Sequence, residues 1–120
     1  MATQTLTSAN FGEVTGREGI VLIDFWAEWC GPCKRFAPVF EQASEKYPDI
    51  VFGKVDTDAE VDIATQFNIR SIPTLMAVRD GVIVFEQAGA LPGSALEQVI
   101  NAVQGLDMAE VKAQVAGQSA

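Results

Sequence analysis

Cys30 and Cys33 are the only two cysteines in the chain, and they bracket Gly31 and Pro32 directly after Trp29. The residues that follow have helical spacing, so this dithiol stands at a helix N-terminus. Unpaired N–H groups and the helix macrodipole there favour a thiolate over a thiol, and the thiolate is the nucleophile of thiol–disulfide exchange. With Cys30 N-cap-like, Cys33 falls one turn later on the same side, and the two sulfurs can bond or part with little backbone motion. Pro32 suits a first turn, where a missing N–H costs nothing. Lys34 and Arg35 add positive charge beside the pair.

Two other readings of the pair stand beside redox exchange. Structural zinc takes four protein ligands, and with two cysteines and no histidine in the chain only a dimer could complete such a site. A purely structural disulfide would close so short a loop that little entropy is removed from the unfolded chain. With 120 residues, 48% of them apolar, the chain fits one domain with a real core and leaves no room for a second. A net charge of −8 argues against nucleic acid, whose phosphates require clustered Lys and Arg. The longest apolar run, Ile20 to Ala27, is interrupted by Asp24 and too short to span a bilayer. Met1 to Asn10 shows no basic region followed by an apolar one, so no secretory leader is visible. A cytoplasmic location is expected, and in that reducing compartment a lone cysteine pair is catalytic or metal-binding rather than structural.

The remaining sequence supplies the elements that would hold this pair. Thr7 or Ser8 is placed to cap a short first helix through about Gly16. Ile20 to Trp26 is too uniformly apolar for a sheet with one wet face and reads as a central strand buried on both sides. Phe36, Val39, Phe40 and Ala43 have helical spacing from Cys33 to about Tyr47, with Pro38 inside and Pro48 as the stop. Ile50 to Asp56 is a second β-rich run, so a parallel crossover is the default. Thr57-x-x-Glu60 reads as a capping box opening a helix with Val61, Ala64 and Phe67 inward. Ser94-x-x-Glu97 opens another with Leu96, Val99, Ile100 and Val103 on one stripe. Between them Asp80-Gly81 joins Thr74–Arg79 to Val82–Ala88 as a hairpin. Asp107-x-x-Glu110 repeats the capping pattern before a last short helix ending near Gly117, and Thr3 to Thr7 can add an edge strand. The expectation is an α/β fold: a mixed sheet of about five strands flanked by about four helices, with a short C-terminal helical extension.

Val21 to Cys33, with Asp24, Phe25, Trp26, Ala27, Trp29 and the Cys30-Gly31-Pro32-Cys33 core, resembles the thioredoxin family, as does Ile72-Pro73-Thr74 further on. The resemblance covers about residues 6 to 104. It implies a thioredoxin-like fold, with residues 1–106 as the domain and 107–120 as an extension, and a protein disulfide reductase working by dithiol–disulfide exchange. By resemblance Cys30 attacks a substrate disulfide and Cys33 resolves the mixed disulfide. Asp24 is a buried carboxylate beneath the pair that exchanges a proton with Cys33, its pKa raised by desolvation. A plainer role for Asp24 is a polar group paired with Lys54 on the next strand, and both roles can hold together. Pro73 corresponds to the family's cis-proline, and Trp29, Gly31, Pro32, Ile72 and the Gly89 loop to an apolar docking surface for extended peptide. No bound cofactor or metal is implied; electrons would come from NADPH through a separate thioredoxin reductase, a flavoprotein, since the chain has no dinucleotide-binding glycine fingerprint. The partners implied are this reductase and disulfide-containing proteins, with the chain itself a monomer. Relatives that oxidise or isomerise disulfides commonly carry histidine between the cysteines, where this chain has Gly31-Pro32. A third reading uses the fold as a binding scaffold with its thiols incidental. Ser71 where relatives often have glycine, Arg35 beside the pair, and the tail from Leu106 to Ala120 depart from the family pattern.

Overall fold

The structure, a computed structural model, describes residues 2–118. The chain runs β1 (Thr3–Thr5), α1 (Phe11–Thr15), β2 (Ile20–Trp26), α2 (Gly31–Lys46), β3 (Val51–Asp56), α3 (Val61–Gln66), β4 (Thr74–Arg79), β5 (Val82–Ala88), α4 (Gly93–Gln104) and α5 (Met108–Gln118). The strands form one sheet in the order β1-β3-β2-β4-β5. β3 pairs in parallel with both β1 and β2, whereas β4 is antiparallel to β2 and β5 to β4. This is the expected mixed sheet with helices on both faces.

The uniform apolar character of β2 follows from its central place. On one face Leu22, Phe52, Leu75 and Ala77 pack against Phe36, Phe40 and Ala43 of α2 and against Leu96, Ile100 and Val103 of α4. On the other, Val21, Ile23, Phe25, Val55 and Met76 meet Leu6, Phe11, Val14 and Ile63. Each such side chain, fully buried, contributes roughly 1.5–3 kcal/mol through apolar area removed from water. Leu6 lies directly over Gly53 of β3, and a Cβ on Gly53 would collide with the Leu6 side chain. Only glycine allows that close approach.

Helix α2 has Cys30 as its N-cap, with extended backbone (φ −88°, ψ 113°), and Pro32 in its first turn. It runs on through Pro38 and is capped by Tyr47, whose N–H donates to the Ala43 carbonyl. Its C-terminus is moored to α4, because Glu97 accepts from Lys46 Nζ at 2.7 Å and from the Tyr47 hydroxyl at 2.8 Å. At the β4–β5 hairpin both Asp80 (φ 52°) and Gly81 (φ 80°) have positive φ, as a twist-matched two-residue turn requires. The Asp80 carboxylate also accepts from the Gly19 N–H at 2.8 Å, which draws it below the usual carboxylate range.

Several expected helix starts differ. α1 is capped by Asn10 rather than Thr7 or Ser8. The Thr7 carbonyl instead accepts from Asn10 and Phe11 N–H groups, and Asn10 Oδ1 accepts from the Thr7 N–H at 2.7 Å, so these residues form a turn before the helix. Thr57 does not cap α3: its hydroxyl donates to the Trp26 carbonyl at 3.1 Å, while Glu60 takes up the Ser8 N–H at 2.9 Å. Helix α3 therefore begins at Val61, which is 57% exposed, and Ile63 faces the core in its place. α4 starts after Pro92 without a Ser94 cap, because Glu97 is drawn off to Lys46 and Tyr47. The Asp107 cap does form, with Oδ1 accepting from the Glu110 N–H at 3.2 Å.

Candidate redox site

β2 delivers the chain to the site. After Trp26 a turn closed by Cys30 N–H to the Ala27 carbonyl at 3.2 Å throws Trp29 outward, where it is 70% exposed, and turns Cys30 inward to start α2. Cys30 and Cys33 are joined as a disulfide with Cα atoms 5.3 Å apart. The Cys33 backbone N–H donates to Cys30 Sγ at 3.1 Å. Cys30 Sγ is thus the atom that receives helix-end hydrogen bonding, and in the reduced protein the same N–H and the macrodipole favour its thiolate. Both cysteines are only 3% exposed and pack with Ala27, Trp26 and Ile72.

The Ile72–Pro73 peptide bond is cis. The Ile72 carbonyl oxygen lies 3.7 Å from Cys30 Sγ, so this loop borders the disulfide. The Pro73 carbonyl accepts from the Gly89 N–H at 2.8 Å, and the Thr74 hydroxyl donates to the Ser71 carbonyl, fixing the loop from both sides. Gly89 takes a positive φ of 106° that a side chain would strain. Gly31 and Pro32 are exposed, Ile72 half-buried and Pro73 buried. The chain therefore brings Trp29, Gly31, Pro32 and Ile72 to the same rim as the disulfide, with Gly89 bonded behind Pro73.

Asp24 is wholly buried, and among the described residues neither carboxylate oxygen has a hydrogen-bond partner. Strand alternation places it on the Leu22 and Trp26 face of β2, the face that α2 covers. Burial pushes its carboxyl up to about 7, with the Lys54 ammonium pulling the other way. Asp24 and Lys54 are register partners across β2 and β3. They do not form the contact ion pair that sequence suggested: Lys54 Nζ sits over the Trp26 ring, 5.0 Å from its centroid, and acts on Asp24 through space. A cavity of about 190 Å³ lined by Trp26, Ala27, Glu28, Cys33, Lys34, Ala37 and Lys54 adjoins the pair on this side.

Sequence reading overlooked Asp58. Its carboxylate accepts from Trp29 Nε1 at 2.9 Å and so orients the exposed indole. The signal was Asp56 at a strand end followed by Thr57 and Asp58: Asp56 Oδ1 takes the N–H groups of Asp58 and Ala59, the short-range turn an aspartate makes. Among the described residues no cluster of three or more His, Cys, Asp or Glu side chains could hold a metal ion.

Comparison with known proteins agrees with this geometry. The thioredoxin family model matches residues 2–102. A Streptomyces coelicolor protein assigned as thioredoxin 2 is 56% identical over 119 residues, which is 99% of this chain and 89% of that protein. Bacillus subtilis thioredoxin is 40% identical over 84% of this chain and 97% of its own length. The solved structure of Plasmodium falciparum thioredoxin superposes with a TM-score of 0.77 at 40% identity, covering 82% of this chain and 97% of that one. The family model spans most of the chain and the relatives match it in sequence and fold, so the protein belongs to the thioredoxin family of protein-disulfide oxidoreductases, with Cys30 and Cys33 as its redox pair.

Proposed function

We propose that the protein works as a reductant of protein disulfides, and the observation that carries this is the Cys33 N–H donated to Cys30 Sγ at the head of α2. In the reduced form the Cys30 thiolate attacks one sulfur of a substrate disulfide. The Cys30–substrate bond forms, the substrate S–S bond breaks, and the departing sulfur leaves as a thiolate that takes a proton. Cys33 then loses its proton and attacks Cys30 Sγ, which forms the intramolecular disulfide and releases the second substrate thiol. Two electrons pass from the dithiol to the substrate. Asp24, held near neutrality in its proton affinity, is the group we assign to take the Cys33 proton and return it, with Lys54 holding its affinity down. Trp29, Gly31, Pro32 and Ile72 receive an extended substrate, with Pro73 and Gly89 shaping the loop opposite.

The oxidised protein needs a two-electron donor to work again. A separate flavoprotein thioredoxin reductase drawing on NADPH fits that need, and a reducing, cytoplasmic setting fits a dithiol that must be regenerated. The cycle needs only one copy of the chain. Residues 1–106 carry the chemistry in this reading, their end held by Arg79 Nη1, which donates to the carbonyls of Val103, Gln104 and Leu106, and 107–120 are an extension of the same unit that pairs with the hairpin through Lys112 and Asp80 at 3.7 Å. The decisive experiment follows reduction of a disulfide-bonded protein by catalytic amounts of this chain with dithiothreitol as electron source. Cys30→Ser should abolish turnover, and pre-reduced Cys33→Ser, mixed with substrate after dithiothreitol is removed, should accumulate a mixed disulfide. Continued turnover by Cys30→Ser would overturn the assignment of the nucleophile.

A further inference from the structure

The chain has 8 basic residues against 16 acidic ones, and their pairing is uneven. Arg17, Lys46 and Lys112 pair with Glu13, Glu97 and Asp80 at 3.1, 2.7 and 3.7 Å. Among the described residues Lys34 and Arg35, which follow Cys33 directly, form no ion pair. Arg35 is exposed, and its Nη1 lies 3.9 Å from the point where a side chain on Gly31 would begin. Its guanidinium therefore runs along the Gly31 edge of the disulfide. Arg70, two residues before Ile72, is also exposed and donates to Asn68 Oδ1 rather than to a carboxylate. Beside Trp29 the charge is negative, because the Asp58 carboxylate is bonded to the indole. Glu28 lines the cavity beside Cys33 together with Lys34 and Lys54.

We propose that Arg35 sets the substrate preference of this site, selecting disulfides whose attacked cysteine is flanked by Asp or Glu, a selectivity that rests on the disulfide-exchange reading above. A carboxylate arriving at the Gly31 edge meets a guanidinium with no internal pair to break and two parallel donors to offer. The same carboxylate on the Trp29 side meets Asp58. The Gly31 side thus attracts a carboxylate and the Trp29 side repels it, although the body as a whole repels anions at long range.

Two disulfide peptides, identical except for Glu or Lys on both sides of the half-cystine, test this. The readout is the ratio of their reduction rates by the pre-reduced protein, which cancels any change in thiol reactivity common to both. At low salt Arg35→Gln should lower the acidic-to-basic ratio about threefold, and Arg35→Glu roughly tenfold. Arg17→Glu, the same charge change at a remote exposed site, should move it by less than about twofold. Roughly 0.5 M salt should erase most of the Arg35 effect. A ratio for Arg35→Glu within about twofold of the parent, or an equal shift from Arg17→Glu, overturns the selectivity while leaving disulfide exchange intact. Failure of the parent to reduce either peptide overturns both.

Discussion

Replacing Asp24 with Asn should stabilise the fold at alkaline pH and leave it nearly unchanged in acid. In the unfolded chain this carboxyl releases its proton near 3.8, while in the folded site burial holds the proton until about 7. Between those values the unfolded chain binds fewer protons than the folded one, so stability falls as pH rises. The penalty is absent below the lower value and complete above the higher one. At about 1.36 kcal/mol per pH unit the gap amounts to on the order of 4 kcal/mol, a large part of the 5–15 kcal/mol that keeps a typical domain folded. Asparagine cannot ionise and feels no such slope. At about pH 3, below both values, the carboxyl is mostly protonated in folded and unfolded chains alike, so the difference between the variants there is the baseline that isolates the effect of charge. Urea unfolding of the oxidised proteins, followed by tryptophan fluorescence from about pH 3 to about pH 9, measures it. With a slope of roughly 1.5 kcal/mol/M, the midpoints should separate by roughly 2–3 M at the alkaline end. Midpoints that stay parallel across the range would mean that the buried carboxyl is solvated or paired in the folded protein, and the reasoning would fail with its proton role.

Lys54→Met should raise the Asp24 pKa above its value of about 7, because it removes the one charge pulling that value down; in the same titration the loss of stability should start at the same pH but continue to higher pH and be larger in total. Gly53→Ala should destabilise the fold by roughly 1–3 kcal/mol through overpacking against Leu6, measured by thermal or urea denaturation, and the loss should shrink when Leu6→Ala is added. Truncation after Gly105 removes one of the three carbonyls held by Arg79 and the exposed Lys112–Asp80 pair, so it should cost about 1 kcal/mol and leave disulfide reduction near normal. Asp58→Ala should free the Trp29 indole and raise the apparent KM for protein disulfides more than it lowers kcat, as read from steady-state reduction of a protein substrate.

What the sequence disclosed and what it hid divide along the range of the forces involved. β2 was legible because a strand covered on both faces has no choice but to be apolar throughout, and the hairpin because Asp80-Gly81 alone satisfies two successive positive φ values. The Cys30 cap followed from chemistry local to four residues. The caps at Thr7, Thr57 and Ser94 failed for the opposite reason. A hydroxyl or carboxylate with several partners in reach goes to whichever the tertiary structure brings closest: Thr57 to the Trp26 carbonyl and Glu97 to Lys46 and Tyr47. The same holds for Asp24 and Lys54. Their adjacency could be read from strand spacing, but the position of the ammonium over the Trp26 ring could not.

Pro38 lies in α2 four residues beyond Lys34. Having no N–H, it leaves the Lys34 carbonyl without the backbone partner an uninterrupted helix would supply. The turn carrying Cys33 is consequently tethered less firmly to the rest of the rod than its length suggests. Downstream, Phe40 and Ala43 stay locked against the sheet. Between the sulfurs and the missing bond, Phe36 is buried in the same cluster, so at this point a side chain rather than the backbone ladder anchors the helix head to the sheet.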